Sequence, residues 1–161
     1  MYSKVKILGH PVHPMLIAFP VAFYTAALAC YMSYNSNNDI FWYKAGYIAN
    51  LAGIITAVVA AIPGFIDWLS IPADSSAKKT GLIHLIANVT ALVLYTISWF
   101  IQREKWDEPN PGVGDSIALT TAGFVITIVA GFLGWTLVQK HHVGVDETTV
   151  DEKVESAVKH A

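Results

Sequence analysis

Long apolar runs alternate with short polar segments along this chain. Four such runs occupy residues 15–34, 42–69, 81–101 and 117–138, and they carry almost no charge. Each run has about 20 residues or more, which as an α-helix is enough to cross a hydrocarbon core of roughly 30 Å. The segments between them, at residues 35–39, 71–79 and 102–115, are polar and rich in turn-forming residues. The pattern therefore predicts four membrane spans joined by short loops.

The spans are predicted to be helices. Backbone polar groups inside lipid must be satisfied within the protein, and the runs are too long and too uniformly apolar for transmembrane strands. Thr80 is a candidate N-cap for the third helix. The expected fold class is all-α: an integral membrane four-helix bundle with up-down topology.

Small residues recur at intervals of four positions on three of these helices. Such ridges let helices approach closely in lipid. Within one chain they would pack the bundle, and a ridge left unused there would allow a homodimer. The three ridges are Ala18, Ala22, Ala26 and Cys30; Ala45, Ala49, Gly53, Ala57 and Ala61; and Gly123, Thr127 and Gly131.

Composition agrees with a membrane protein. Hydrophobic residues make up 54% of the 161 positions and charged residues 14%, with a mean hydropathy of +0.47; charged residues near a quarter are usual in soluble domains. The net charge of −2 gives no reason to expect nucleic acid as a partner. Cys30 is the only cysteine, so no intrachain disulfide can form. The basic start of the chain precedes a segment too long for a signal peptide, which predicts a retained span.

The chain divides into a membrane domain and a tail. Residues 1–145 form the four-helix transmembrane domain, and residues 146–161 form an acidic tail. Valines on one face and a Thr149–Glu152 capping pattern predict a short surface helix in the tail, with a frayed acidic segment as the alternative.

Lysine and arginine residues predict the orientation. With four spans, both termini and the 71–79 loop lie on one side, which carries more Lys and Arg than the other side. The positive-inside rule places that side in the cytoplasm, so we expect a multi-pass protein of the bacterial inner (plasma) membrane with both termini cytoplasmic. The cations on that side are Lys4, Lys6, Lys78, Lys79 and Lys140, against Lys44, Arg103 and Lys105 on the other.

The same topology brings most histidines to one membrane face. The first helix starts at the His10-Pro11-Val12-His13-Pro14 stretch, and Pro14 is tolerated in its first turn, where it would fix the direction of His13. Ionisable groups inside spans are costly and usually face the bundle or a partner. The residues predicted to form a shared site are His10, His13, Asp67, His84, Asn88 and His141, with His142 nearby.

Three functions fit this histidine cluster. Imidazole is an axial haem ligand, and His13 with His84 could hold b-type haem between two helices, with Asp67 and Asn88 orienting the imidazoles through their second nitrogen. A zinc, copper or non-haem iron site would use the same histidines but needs three or four converging ligands. A structural or partner-binding membrane subunit would need no cofactor.

Enzyme signatures are missing from the sequence. It contains no hydrolytic triad pattern, no phosphate-binding glycine loop and no CxxCH motif. We therefore expect an electron-transfer or binding protein rather than a substrate-converting enzyme.

Four motifs in order resemble the DUF2231 family of bacterial membrane proteins. They are GHPVHPML at residues 9–16, GFIDW at 64–68, TGLIH at 80–84 with Asn88, and GW at 134–135 followed by HHVGV at 141–145. The resemblance implies a four-helix membrane domain. Relatives joined to Rieske-type iron–sulfur or cytochrome c domains imply redox chemistry with a partner protein, which favours haem.

The first hypothesis is therefore a small membrane cytochrome for electron transfer. His13 and His84 are its expected axial pair, near the cytoplasmic face. His10 and His141 are expected just outside this pair or as ligands of a second haem. Lys78, Lys79 and Lys140 lie at the same face and could pair with haem propionates.

Overall fold

The computed structural model describes residues 3–144, and about three quarters of these are helical. Four helical segments are long and apolar enough to cross a membrane, which confirms the predicted spans: Val12–Asn37, Ile40–Leu69, Ser76–Glu104 and Gly114–Gln139. The elements in chain order are β1 (Lys6–Ile7), β2 (His10–Pro11), α1 (Val12–Leu16), α2 (Ala18–Asn37), α3 (Ile40–Leu69), α4 (Ser76–Glu104) and α5 (Gly114–Gln139). The prediction for the tail lies outside the described residues.

The first span is interrupted between α1 and α2. Pro20 has no N–H, so the carbonyl of Leu16, four residues earlier, has no helical donor. The interruption falls at Ile17, between the two helices. His13 consequently lies on a short helix of its own at the start of the span.

The helices pack as two hairpins. In the N-terminal hairpin α1 and α2 pack on α3, and in the C-terminal hairpin α4 packs on α5; contacts between the hairpins are looser. We call the end of the bundle where α1 begins, α3 ends, α4 begins and α5 ends the histidine face. His13 and His84 lie at this face.

Small residues line the tight contacts at intervals of seven rather than four. A seven-residue repeat keeps one seam facing a neighbouring helix in a left-handed bundle. The ridge predicted on α2 is wrong, since Ala18, Ala22 and Ala26 are exposed on the bundle surface; the homodimer along it stays a prediction. The buried seam residues are Gly46, Gly53 and Ala60 on α3 and Ser116, Gly123 and Ala130 on α5.

Two tyrosines join the hairpins at the centre. The ring of Tyr24 covers Gly53 and the ring of Tyr95 covers Gly123; a Cβ at either glycine would lie within 2.7 Å of the ring above it. The two rings stack with their centroids 3.6 Å apart and their planes within 1°. Because glycine has no side chain, both rings can reach the bundle axis.

The hairpins repeat the same residues in the same roles. The offset is 71 positions on the first helix of each pair (13 to 84, 24 to 95) and 70 on the second (53 to 123, 64 to 134). In both hairpins a histidine and a tyrosine on the first helix meet two glycines on the second. The two hairpins of the described bundle thus form an internal repeat, and we call the line between them along the bundle its pseudo-two-fold axis.

The bundle core away from the histidine face is polar and aromatic. Buried Gln102 donates from Nε2 to Ser116 Oγ at 2.7 Å, and the Tyr43 hydroxyl donates to the Gln102 carbonyl at 2.8 Å. Tyr31, Tyr34, Tyr43 and Val113 form a buried cluster there. These contacts close the end of the bundle opposite the histidine face.

Ser75, not Thr80, caps α4. Its side chain accepts from the backbone N–H of Lys78 at 3.1 Å, so α4 begins about one turn earlier than predicted. At the same face, residues 3–11 form the N-terminal strap, a short β-hairpin that lies against the end of α3.

Candidate functional site

Two histidines are held in the same way on opposite sides of the bundle axis. Nδ1 of His13 lies 2.8 Å from the carbonyl oxygen of Ala60 on α3, and Nδ1 of His84 lies 2.8 Å from that of Ala130 on α5. Each histidine therefore bonds to the backbone of its own hairpin partner helix.

A glycine makes room for each of these imidazoles. A Cβ added at Gly64 would lie 2.7 Å from ring atoms of His13, and one at Gly134 would lie 3.2 Å from Cε1 of His84. Each glycine follows the accepting alanine by one helical turn. The imidazole can thus lie flat enough on the neighbouring helix to reach the carbonyl.

The hydrogen bonds fix which ring nitrogen carries the proton. A carbonyl oxygen only accepts, so Nδ1 must be the protonated nitrogen in both rings. Nε2 of each neutral imidazole then keeps a lone pair, which is the form that binds a metal ion. At His84 this assignment agrees with the amide of Asn88, whose Nδ2 lies 3.2 Å from Nε2.

The two imidazoles lie close together and perpendicular. Their ring centroids are 6.4 Å apart, with an angle of 89° between the planes. Two imidazoles on opposite sides of one metal ion, with metal–nitrogen bonds of about 2 Å, have ring centres roughly 6 Å apart. The separation therefore matches a pair of axial ligands to one metal centre.

A mostly apolar cavity surrounds the pair. Its volume is about 430 Å³, and it is lined by both histidines and by residues of all four spans. Tyr24 lines it on the side towards the bundle centre, and Trp68 and Trp135 contribute aromatic surface. This volume and lining are typical of pockets that bury an organic ligand or cofactor.

Asp67 does not orient an imidazole, contrary to the prediction. Its carboxylate accepts hydrogen bonds from Ser3 Oγ at 2.8 Å and from the backbone N–H groups of Lys4 and Val5 at 2.7 and 3.4 Å. The N-terminal strap, which folds back over the end of α3, supplies these donors. Asp67 thus anchors the strap beside the cavity, which both Asp67 and Ser3 line.

Asn88 is near His84, but its role differs from the predicted one. The amide lies against Nε2, while the second nitrogen, Nδ1, is held by the backbone. Nδ2 of Asn88 also donates to the backbone carbonyl of His84 at 2.8 Å. The prediction that Asn88 orients the ring through Nδ1 is wrong, because helical spacing places it on the opposite side of the imidazole.

The structure does not bring His10 and His141 into the cavity. His10 is exposed in the strap, with Nδ1 3.0 Å from the carbonyl of Leu8. Nε2 of His141 lies 3.5 Å from the Thr80 hydroxyl. The predicted six-residue site therefore reduces to His13 and His84, with Asn88 against one ring and Asp67 at the strap.

Lys78 contacts Trp68 at the same face. Its ammonium lies 3.9 Å from the centre of the indole ring and donates to the Trp68 carbonyl at 2.8 Å. The indole Nε1 in turn donates to the Lys78 carbonyl at 3.3 Å. Lys78 thus joins the end of α3 to the start of α4 beside the cavity.

Clusters of three or more protein ligands do not occur in residues 3–144. No group of His, Cys, Asp or Glu side chains there is close enough to hold a metal ion by itself. The described residues therefore bring two imidazoles together, and a metal ion held by them would need its other ligands from another molecule.

Sequence reasoning missed the backbone carbonyls of Ala60 and Ala130 and the glycines that follow them. No single motif indicates a carbonyl acceptor. The internal repeat was the available signal, because the same His, Tyr and Gly positions recur in each half of the chain.

Comparison with known proteins gives a family. A family model described as "Predicted membrane protein (DUF2231)" matches residues 9–147. No curated protein sequence matches the chain. No solved structure matches it either.

Proposed function

The chain belongs to the DUF2231 family of predicted membrane proteins, and from that premise we propose that it binds one b-type haem between His13 and His84 for electron transfer. The observation that carries this proposal is the pair of perpendicular imidazoles with protonated Nδ1 and centroids 6.4 Å apart.

The number of protein ligands favours haem over a non-haem metal ion. Structural zinc sites take four protein ligands and catalytic zinc sites three, and the described residues provide no such group. A porphyrin supplies four ligands itself and needs only two axial ones from the protein. Zinc, copper or non-haem iron on the same histidines is therefore the weaker candidate.

The cavity supports the same choice. Its lining is largely aliphatic and aromatic, and it lies between hairpins whose mutual contacts are looser than those within each hairpin. A flat macrocycle that is apolar except for its two propionates suits such a space, and its iron needs ligands from both sides. Held by His13 and His84, haem would supply one-electron oxidation and reduction, which suits electron transfer rather than substrate conversion.

The residues near the pair have distinct roles in this proposal. His13 and His84 hold the iron, and the Ala60 and Ala130 carbonyls keep their Nε2 lone pairs available. Asn88 gives up its contact with Nε2 but keeps its bond to the His84 carbonyl. Asp67 keeps the strap against the cavity and so limits access of water.

We place this site near the cytoplasmic side of the bacterial inner membrane. The histidine face carries more Lys and Arg than the opposite face, which supports cytoplasmic termini by the positive-inside rule. A redox partner protein would then approach from the cytoplasm.

An absorption spectrum tests the proposal. The protein is expressed with haem available, purified in detergent and measured oxidised and reduced; we expect a Soret band and one haem per chain. His13→Ala and His84→Ala should each lose the six-coordinate low-spin spectrum. His10→Ala and His141→Ala are matched controls and should keep it. Absence of a Soret band in the unsubstituted protein, or an unchanged band in His84→Ala, would contradict the proposal.

A further inference from the structure

The histidine cradle occurs twice in the chain. In each hairpin a histidine on the first helix bonds through Nδ1 to a carbonyl on the second helix, and a glycine one turn after that carbonyl lies under the ring. The two copies consist of His13, Ala60 and Gly64, and of His84, Ala130 and Gly134. The duplication has thus preserved a contact pattern and not only a fold.

Glycine is the part of the cradle that a side chain would disrupt. A Cβ at Gly64 would approach Cε1 and Nδ1 of His13 to 2.7 Å, which is closer than van der Waals contact allows. The ring would have to move away from α3, and its 2.8 Å bond to the Ala60 carbonyl would lengthen or break. At Gly134 the approach to His84 is 3.2 Å, so the displacement would be smaller.

We propose that Gly64 and Gly134 are positioning residues that fix the proton and the plane of each imidazole, so that both Nε2 atoms address one metal centre on the pseudo-two-fold axis. The part about the metal rests on the proposed function. The part about tautomer and orientation concerns the protein alone. The ligand class that this geometry fits has a single metal centre with two equivalent nitrogen ligands.

The symmetry of the pair supports this assignment. Both rings use the same nitrogen, the same kind of acceptor and the same 2.8 Å distance. Histidines that only satisfied a buried polar group would not need matching geometry across the axis. The planes of the two rings are 89° apart, so the rings do not stack on each other.

The two glycines under the central tyrosines provide controls in which an added Cβ would make an equally close contact. Gly53 and Gly123 lie under Tyr24 and Tyr95, where a Cβ would approach ring carbons to 2.6 and 2.7 Å, and neither has an imidazole among its nearest contacts. Alanine there should destabilise the bundle by overpacking without altering the histidines. Gly114, at the start of α5 and outside the cavity lining, has nothing within 4 Å of an added Cβ and provides a neutral control.

Two measurements separate positioning from packing. Imidazole ¹⁵N chemical shifts of the haem-free protein report the tautomer of each histidine. Electron paramagnetic resonance of the ferric haem protein reports the angle between axial imidazoles, because perpendicular planes leave two iron d orbitals nearly equal in energy and give a signal with a large principal g value. Both are measured for Gly64→Ala, Gly134→Ala and the three control variants.

The expected result is specific to each glycine. Gly64→Ala should shift the His13 nitrogens towards a mixture of tautomers and leave those of His84 unchanged, and Gly134→Ala should do the converse to a smaller extent. In the haem protein both should lower the large g value, while Gly123→Ala and Gly114→Ala keep it. If Gly64→Ala does not fold, the milder Gly134→Ala carries the test.

Unchanged nitrogen shifts in Gly134→Ala and Gly64→Ala, or equal changes in the tyrosine controls, would overturn the assignment. A protein without a Soret band would remove the proposed haem function only. The nitrogen shifts of that protein would still decide whether the glycines position the imidazoles, so the two failures are distinguishable.

Discussion

Removing one hydroxyl from each stacked tyrosine should change the stability of the bundle in opposite directions. Tyr24 and Tyr95 occupy equivalent positions and share one stacking contact. The Tyr95 hydroxyl donates to the Thr120 carbonyl at 3.2 Å. The Tyr24 hydroxyl is buried and has no hydrogen-bond partner among the described residues. Phenylalanine keeps both rings in place, so each substitution isolates one hydroxyl.

The two magnitudes follow from what each hydroxyl does. Tyr95→Phe loses a buried hydrogen bond, a net loss of about 0.5–1.5 kcal/mol. Tyr24→Phe removes a buried polar group without a partner, whose desolvation costs about 1–3 kcal/mol. We therefore expect the free energy of unfolding to rise in Tyr24→Phe and fall in Tyr95→Phe, with a difference of roughly 3 kcal/mol between the variants.

Denaturant titration in detergent measures both changes. Far-UV circular dichroism follows loss of helix as dodecyl sulfate is added to protein in a mild non-ionic detergent. The double variant should show nearly additive effects, because the stacking contact is retained. A loss of stability in Tyr24→Phe as large as that in Tyr95→Phe would refute the reasoning, since it would mean that the Tyr24 hydroxyl has a bonding partner.

Three further substitutions test the surrounding structure. Asp67→Ala removes a carboxylate that accepts three hydrogen bonds, so the N-terminal strap should exchange its amide hydrogens faster, with a stability loss of about 1.5–3 kcal/mol; unchanged exchange would count against this anchor. Gly81→Ala would bring a Cβ to 2.7 Å from Trp68 and should shift its fluorescence and cost about 1–3 kcal/mol, whereas Gly131→Ala should do neither. Gln102→Leu breaks the buried bonds at the opposite end and should lower stability by about 1–3 kcal/mol, while a spectrum of bound haem, if present, stays the same.

The spans could be predicted because their signal is local. Each run of about 20 apolar residues is visible in the sequence, and lipid allows few alternatives to a helix. The packing between them could not be predicted in the same way. Ala18 and Gly53 look alike as small residues, but only Gly53 has a large ring opposite, and that depends on which helices pair.

For the candidate site, the sequence predicted only the membrane face at which each residue lies, because that follows from the order of the spans. Counting spans placed His13 and His84 at one face, where the structure has them. The partners of these rings are backbone carbonyls, which every residue has, so the sequence does not mark them. Asp67 was misassigned for a related reason: its partners are mainly backbone N–H groups of the strap, and a two-strand hairpin of four residues leaves almost no sequence pattern.

The duplicated hairpin has a consequence for how the molecule assembles. Each half carries one of the two paired imidazoles and one of the two central tyrosines, so neither half contains both members of either pair. A ligand that contacts both imidazoles would therefore stabilise the association of the two halves. Because residue 3, residue 144 and the α3–α4 connection all lie at the histidine face, a circular permutant that starts at Ser76 should rebuild the same bundle.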